Sequence, residues 1–190
     1  MLKPSLEEVK ALAKQYNTIP VFYEFSADNQ TPLNIYTAFS GMSRNSFIFE
    51  SVSNGVQWDR YSFIGFAPKQ EIRISGKQAE IRTEKGTQTL AVEQPIAFLK
   101  EQMAAFHAPV IPGAPNFTGG LIGYFGYDTV RYMEKKLTNI PEDDIHMPDC
   151  HLFLYEELIA YDHLTSNGIV ILNLHTDGDL GAQYAAAQWR

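Results

Sequence analysis

The chain has 190 residues, 45% of them hydrophobic, which fits one domain or one domain plus part of another, and a compact chain of this size would bury about 70% of its unfolded surface. The net charge of −7 argues against a nucleic-acid-binding surface, no apolar stretch approaches the roughly 18 residues of a membrane span, and no secretory leader opens the chain. The single cysteine cannot form an internal disulfide, so we expect a protein of the reducing cytoplasm.

The first part of the sequence predicts a helix, a strand and a second helix. Ser5 begins a capping-box pattern, after which apolar residues recur at helical spacing. Val21–Ser26 is predicted as a strand. Thr31 is expected to cap a short helix that ends near Gly41 and has Pro32 at its first position, where the missing N–H costs nothing.

The middle of the sequence predicts an antiparallel meander. Two aromatic strands, Ser46–Val52 and Tyr61–Phe66, precede alternating apolar and polar residues with turns near Gly76 and Gly86. Such alternation is typical of a sheet with one solvated face. Pro95 then starts a helix whose apolar residues lie on one side.

The last part predicts further strands separated by loops. Gly119–Phe125 is expected to be a strand, followed by a short helix that Asp128 caps, and Leu152–Tyr161 is expected to be one strand. Asn167-Gly168 predicts a hairpin turn before the next strand.

These elements together predict an α+β fold, mainly an antiparallel sheet with helices packed against it. We expect residues 1–176 to form one domain. Residues 177–190, with a helix over Tyr184–Arg190 that stops without a C-cap, are expected to begin a linker helix.

Three clusters invite other interpretations. Gly120, Gly123 and Gly126 lack the Lys and Ser/Thr of a phosphate loop, so we expect close backbone packing there. His146, Cys150 and His151 match no familiar zinc spacing, and we expect a polar loop beside a strand, with Cys150 in the core. Another cluster is a carboxylate pair whose members would point to opposite faces of a strand, which excludes a dyad: Glu156 and Glu157.

Several segments carry a family resemblance. They are Asn45–Ser53, Trp58–Gly65, Gly119–Asp128 and Thr31-Pro32 with Ile35-Tyr36. In combination they resemble the N-terminal domain of anthranilate synthase component I, and the likeness runs from about Tyr16 to the end. Phe49 departs from the usual leucine, which alters the shape of an apolar wall but not the polar residues beside it.

The resemblance implies an enzyme of tryptophan biosynthesis. The full protein would convert chorismate to anthranilate and pyruvate, using Mg²⁺ and ammonia from a glutamine amidotransferase subunit, component II. Chorismate and Mg²⁺ would bind in a C-terminal chorismate-binding domain, of which we find no sign here. We therefore expect an inactive fragment with no catalytic residue, no metal ligand and no cofactor of its own.

The resemblance also implies a regulatory site for L-tryptophan at Glu50 and Ser51, with Pro32 near it. A free amino acid needs an apolar slot, an acceptor for its ammonium group and a donor for its carboxylate. Because Phe47, Phe49 and Ser51 share one strand face, we expect Ser51 to point into the site and Glu50 to act through its backbone or a local bend.

Two questions stay open at this stage. Arg60 either forms a structural salt bridge, for which Glu50 is a candidate partner, or binds a carboxylate with its planar fork. The function is either that of anthranilate synthase or one of two alternatives. These are the N-terminal domain of aminodeoxychorismate synthase component I in folate synthesis, and a stand-alone amino-acid-sensing module.

Overall fold

The computed structural model describes residues 1–41, 43–50, 60–134, 136–139 and 142–189. Within these ranges the helices are α1 (Leu6–Leu12), α2 (Pro32–Ser40), α3 (Pro95–Ala104), a 3₁₀ helix (Tyr127–Tyr132) and α4 (Leu180–Ala187). The strands are β1 (Thr18–Ser26), β2 (Ser46–Phe49), β3 (Tyr61–Phe66), β4 (Gln70–Ser75), β5 (Gln78–Thr83), β6 (Gly86–Ala91), β7 (Gly120–Phe125), β8 (Cys150–Tyr155), β9 (Glu157–Asp162) and β10 (Asn167–His175).

The strands form two sheets of five strands each among the described residues. One sheet has the order β1-β10-β9-β3-β2 and the other β6-β5-β4-β8-β7. Antiparallel pairing joins neighbours in both sheets. The predicted α+β fold with mainly antiparallel strands is therefore confirmed.

The chain divides into two compact units. Unit 1 consists of Met1–Pro68, Phe106–Gly119 and Tyr155–Arg190, and unit 2 of Lys69–Ala105 and Gly120–Leu154. The chain thus passes from one unit to the other four times.

One face of the sheet in unit 1 is covered by helices. Val9 of α1 and Tyr184 of α4 pack in a cluster with Ile19, Val21 and Leu172 of the sheet. Farther along the same face, α2 packs in a second cluster that includes these residues: Ile35, Tyr36, Phe39, Ile48, Ile64 and Ile159. The apolar residues of each helix therefore pack against this face, while the opposite face of the sheet is also apolar and buries Phe22, Leu158 and Ile171.

Unit 2 is a sheet with one apolar and one polar face. Ile72 and Ile74 of β4 are fully buried and cluster with Leu99 of α3. Glu71 and Arg73 alternate with these isoleucines and lie on the other face. They form an ion pair in which Arg73 Nη2 is 2.7 Å from Glu71 Oε1. This alternation matches the predicted meander with one solvated face.

Local helix signals in the sequence are confirmed. Ser5 accepts a hydrogen bond from the Glu8 amide while the Glu8 side chain accepts one from the Ser5 amide, which completes the capping box of α1. Thr31 caps α2, Pro32 occupies its first turn, and the helix ends at the C-cap Gly41. Pro95 likewise opens α3.

Two predicted strands differ from the structure. Of the strand predicted over Ser46–Val52, the structure shows Ser46–Phe49 as β2 and Glu50 outside it, and residues 51 and 52 lie outside the described ranges. The strand predicted over Leu152–Tyr161 is two strands, β8 and β9, which belong to different sheets and are separated by Glu156. Glu156 and Glu157 interrupt the apolar run, but the residues on either side of them have the same apolar character, so the sequence does not reveal that the two halves join different sheets.

Two predicted caps and turns are also displaced. The β9–β10 turn spans residues 163–166, and Ser166 takes the positive φ of 54°, so Asn167 and Gly168 are already in β10. Asp128 does not cap the 3₁₀ helix. Gly126 precedes the helix instead, and Asp128 accepts a 2.9 Å hydrogen bond from Arg131.

The terminal helix α4 belongs to the core of unit 1. Asp179 caps it through the amides of Gly181 and Ala182. Tyr184 and Ala187 are buried in the cluster that also contains Val9. The predicted boundary between residues 176 and 177 remains a prediction. No helix in the described part of the chain has the length and hydrophobicity to span a membrane.

Candidate functional site

Strand β2 has two chemically different faces. Ile48 points toward α2 and packs with the apolar cluster there. Phe47 and Phe49 point to the other face, where their ring centroids lie 4.9 Å apart. The alternation predicted for these residues is therefore confirmed.

An aromatic surface extends from Phe47 and Phe49 on this second face. Phe47 meets the edge of Tyr155 at 4.8 Å, and Phe63, which pairs with Phe49 across the strands, meets Phe117 at 5.3 Å. Phe49 remains 53% exposed. We call these five side chains the aromatic face.

Gly65 makes room for the aromatic face. It pairs with Phe47 across β2 and β3, and a Cβ atom at this position would overlap the Phe47 ring. A glycine in a central strand loses side-chain packing, and here the ring of the facing residue covers it.

The roles predicted for the effector residues Glu50, Ser51 and Pro32 all remain predictions, and the structure describes the surroundings of two of them. Glu50 is exposed and follows the last residue of β2, so strand alternation no longer determines the direction of its side chain. Ser51 lies outside the described residues. Its predicted direction therefore remains a prediction.

Pro32 is buried at the first turn of α2. Its structural role is clear, because Thr31 accepts a 3.1 Å hydrogen bond from the Asn34 amide and the helix begins there. The helix that Pro32 opens packs on the Ile48 side of the sheet, whereas the aromatic face is on the opposite side. A role for Pro32 in effector binding remains a prediction.

Arg60 forms a salt bridge with Asp162, and the suggested pairing with Glu50 is not the one that the structure has. Its Nε and Nη2 atoms donate to the two carboxylate oxygens of Asp162 at 2.9 and 2.6 Å. The guanidinium also lies 5.0 Å from the centre of the Tyr61 ring. This is the bidentate geometry for which the planar fork of arginine is suited.

The pKa values of this pair move in opposite directions. The hydrogen bond from Arg60 lowers the pKa of Asp162, and burial opposes this effect. The hydrogen bond to Asp162 raises the pKa of Arg60. Both groups are therefore held in their charged forms.

Asp162 and the rings of Tyr155 and Phe117 were not among the residues predicted from the sequence. A carboxylate at the end of a strand, directly before a polar turn, is a signal for a side chain that accepts from the turn's amides. Asp162 does so with Leu164 at 3.0 Å. The two rings come from distant segments, and no local pattern indicates that they meet Phe47 and Phe63.

Close backbone packing is confirmed at two of the predicted glycines, Gly123 and Gly126, and also occurs at Gly119. A Cβ atom on Gly123 would overlap the carbonyl oxygen of His151. Gly119 has a φ of 152°, and a Cβ there would come within 2.9 Å of the Tyr155 carbonyl oxygen. Gly126 likewise lies against Asp149.

The histidines near Cys150 contact carboxylates. His151 Nε2 lies 2.7 Å from Glu71, and His146 lies 3.7 Å from Asp143. Burial raises the pKa of Glu71, but the hydrogen bond from His151 and the charge of Arg73 outweigh it, and the net pKa is lowered.

Cys150 lies in the core of unit 2. It is fully buried, as expected for a lone cysteine in an apolar run, and burial raises its pKa to about 11. No group of three or more His, Cys, Asp or Glu side chains within the described ranges could hold a metal ion.

Glu156 and Glu157 are not neighbours on one strand. Glu157 begins β9, and Glu156 lies before it and pairs with His175 at 3.0 Å. The Asn173 side chain donates to the carbonyl oxygens of Thr118 and Glu156 at 2.7 and 2.9 Å. Asn173 thus holds two connecting segments of unit 1 against β10, a role that sequence analysis missed.

Comparison with known proteins gives a consistent result. A family model described as chorismate binding enzyme matches residues 52–188. Anthranilate synthase component 1 of Acetivibrio thermocellus is 40% identical over 187 residues, which are 98% of this chain and 37% of that protein. The counterpart from Acinetobacter calcoaceticus is 35% identical over 178 residues, 91% of this chain and 36% of that protein.

A solved structure supports the fold. The crystal structure of anthranilate synthase component I from Streptococcus pneumoniae TIGR4 aligns with a TM-score of 0.53 at 24% identity, and the match covers 85% of this chain and 34% of that chain. The chain thus spans little more than a third of the length of these relatives.

Proposed function

This chain belongs to the family of chorismate binding enzymes, and on that premise we propose that it is the N-terminal part of an anthranilate synthase component I. The whole enzyme would form anthranilate and pyruvate from chorismate, with ammonia supplied by a glutamine amidotransferase subunit. Chorismate and Mg²⁺ would bind in polypeptide outside these residues. The observation that carries the proposal is the relatedness to proteins of that name over nearly the whole chain.

For this part of the enzyme we propose a regulatory role in the cytoplasm, as the site for feedback inhibition by L-tryptophan. The aromatic face supports it, because Phe49 is half-exposed and lies one residue before the polar Glu50. An apolar surface with a few polar groups at its rim suits an indole side chain with an ammonium and a carboxylate. Inhibition requires tryptophan to bind two arrangements of the enzyme with different affinity.

The test is a Ser51→Phe variant of the complete enzyme. We expect inhibition by tryptophan to be lost, because the larger side chain would fill the site. Anthranilate formation without tryptophan is measured alongside, so that a general loss of folding is recognised. Ser75→Phe, the same change at an exposed position of β4, is the matched control and should keep its inhibition. A Ser51→Phe enzyme that tryptophan still inhibits fully would contradict the site.

A second test uses residues 1–190 alone. Calorimetry should detect weak binding of tryptophan or none, because the proposal gives this chain only part of the pocket. Chorismate should not bind tightly either. Tight stoichiometric binding of either ligand would contradict this division between the two parts of the enzyme.

Product analysis of the complete enzyme would separate anthranilate synthase from aminodeoxychorismate synthase.

A further inference from the structure

The beginning of β3 is attached to the end of β9 by side chains and backbone together. The Arg60 guanidinium donates two hydrogen bonds to Asp162, and the Arg60 carbonyl oxygen accepts a 2.9 Å hydrogen bond from the His163 amide. Tyr61, the next residue, pairs with Asp162 across the strands. Several bonds therefore fix the first residues of β3 at one place.

Asp162 is fully engaged by these contacts. Besides the two bonds from Arg60, it accepts hydrogen bonds from the Leu164 amide at 3.0 Å and the Thr165 hydroxyl at 2.9 Å. Its side chain is only 4% exposed. A carboxylate in this position cannot reach a ligand, and its function is to hold its neighbours.

The attachment lies beside the aromatic face. Strand β3 pairs with β9 on one edge, where Phe63 faces Ala160, and with β2 on the other edge, where Phe63 faces Phe49. The position of the Phe49 and Phe63 rings therefore depends on where β3 sits. A change that releases the first residues of β3 would shift both rings.

We infer that Arg60 and Asp162 are positioning residues for the effector site, which set the affinity for tryptophan by fixing β3 and with it the aromatic face. This inference rests on the proposed function. It also answers the question that the sequence left open. The guanidinium of Arg60 is occupied by Asp162 and holds a strand, instead of binding the carboxylate of the ligand.

The two roles of Arg60 make opposite predictions for Asp162→Asn. If Arg60 bound the ligand's carboxylate, release from Asp162 would leave the affinity for tryptophan unchanged or increase it. If Arg60 is a positioning residue, Asp162→Asn should weaken tryptophan binding although Asp162 itself is buried. Arg60→Lys, which keeps the charge and loses the fork, should have the same effect.

The experiment measures the tryptophan concentration that gives half-maximal inhibition of the complete enzyme, at a temperature well below the melting temperature of every variant. We expect Arg60→Lys and Asp162→Asn each to raise this concentration about tenfold, the factor expected when roughly one charged hydrogen bond no longer contributes. The double variant should be no worse than either single variant, because the two residues act as a pair. Arg131→Lys, which alters another Arg–Asp pair, is the matched control and should leave the concentration unchanged.

The outcomes separate the inference from its premise. If tryptophan does not inhibit the wild-type enzyme, the proposed function fails and the inference fails with it. If the wild type is inhibited but Asp162→Asn is inhibited equally or more strongly, the inference alone is overturned. A melting temperature that falls while the half-inhibitory concentration stays constant also overturns it, because the pair is then merely structural.

Discussion

Asp162 shows how one buried carboxylate can join two segments of chain. It receives two hydrogen bonds from the residue before β3 and two from the turn after β9. Arg60 is 43% exposed, so solvent screens part of the attraction between the charges. Most of the stabilisation that Asp162 provides therefore comes from its hydrogen bonds and not from the attraction between the two charges.

Asp162→Asn should lower the free energy of unfolding at pH 7 by about 1–3 kcal/mol, because an amide cannot accept both bonds from Arg60 and one of its atoms would face a donor. Urea denaturation measures this difference. Asp144→Asn, which removes an exposed carboxylate, controls for the change in net charge.

The same difference should depend on pH. The pKa of Asp162 is lowered in the folded state, so its contribution is complete above the ordinary value of 3.8 and is lost as the pH falls through the lower folded pKa. We expect the gap between wild type and Asp162→Asn to be constant from pH 7 to 5 and to shrink below about 4. A stability difference that grows as the pH falls would mean that folding raises the pKa of Asp162 instead of lowering it.

At the scale of elements, local chemistry determines which segments the sequence predicts correctly. The Ser5 capping box and the Thr31-Pro32 start of α2 each involve residues within one turn, and both occur as predicted. The split between β8 and β9 was missed because it depends on which sheet each strand joins. The Asn167-Gly168 turn was wrong because Gly168 instead accommodates the Phe25 ring in the pairing of β1 with β10.

Gly123→Ala tests the close packing of β7 on β8. The added Cβ would overlap the His151 carbonyl oxygen, and backbone atoms cannot move aside as a side chain can. We expect a loss of at least about 1–3 kcal/mol in the free energy of unfolding, the range for overpacking.

The control for this change is Gly41→Ala. A Cβ atom at Gly41 meets nothing within 4 Å, and the residue has an ordinary φ of −69°. The stability of the Gly41→Ala variant should be unchanged or slightly raised, because alanine has less conformational freedom than glycine in the unfolded chain. Equal losses in the two variants would mean that the contact with His151 is not the cause.

Only part of the candidate site could be predicted from the sequence. Strand alternation alone predicts that Phe47 and Ile48 point to opposite faces of β2. The partners of Phe47 and Arg60 could not, because Tyr155 and Asp162 are about a hundred residues away in sequence and come close only through the sheet. Non-local contacts of this kind leave no periodic signal.

At the scale of the whole molecule, the chain forms two compact units, whose crossings the sequence did not predict. Unit 2 is built from two stretches, Lys69–Ala105 and Gly120–Leu154, which are separated by a segment of unit 1. The crossings at Pro68 and at Gly119-Gly120 fall on ordinary turn residues, which also occur within a single domain and therefore do not mark a boundary. Each unit nevertheless has its own apolar cluster, which allows them to be tested separately.

Two matched core substitutions should act on different units. Ile19→Ala removes a fully buried side chain from unit 1, and Ile72→Ala does the same in unit 2. Each substitution should lower the free energy of unfolding by about 2–5 kcal/mol. We expect amide hydrogen exchange to accelerate mainly in the unit that carries the substitution. If either variant accelerates exchange equally throughout both units, the two unfold as one.

Cys150 offers a natural reporter of these motions. It is the only thiol in the chain and is buried within unit 2 with a pKa near 11, so at neutral pH it is both hidden and protonated. A disulfide reagent can modify it only after that part of the protein opens, because the thiolate is the reacting species. The rate of labelling under native conditions would thus record each opening event without the introduction of any foreign probe.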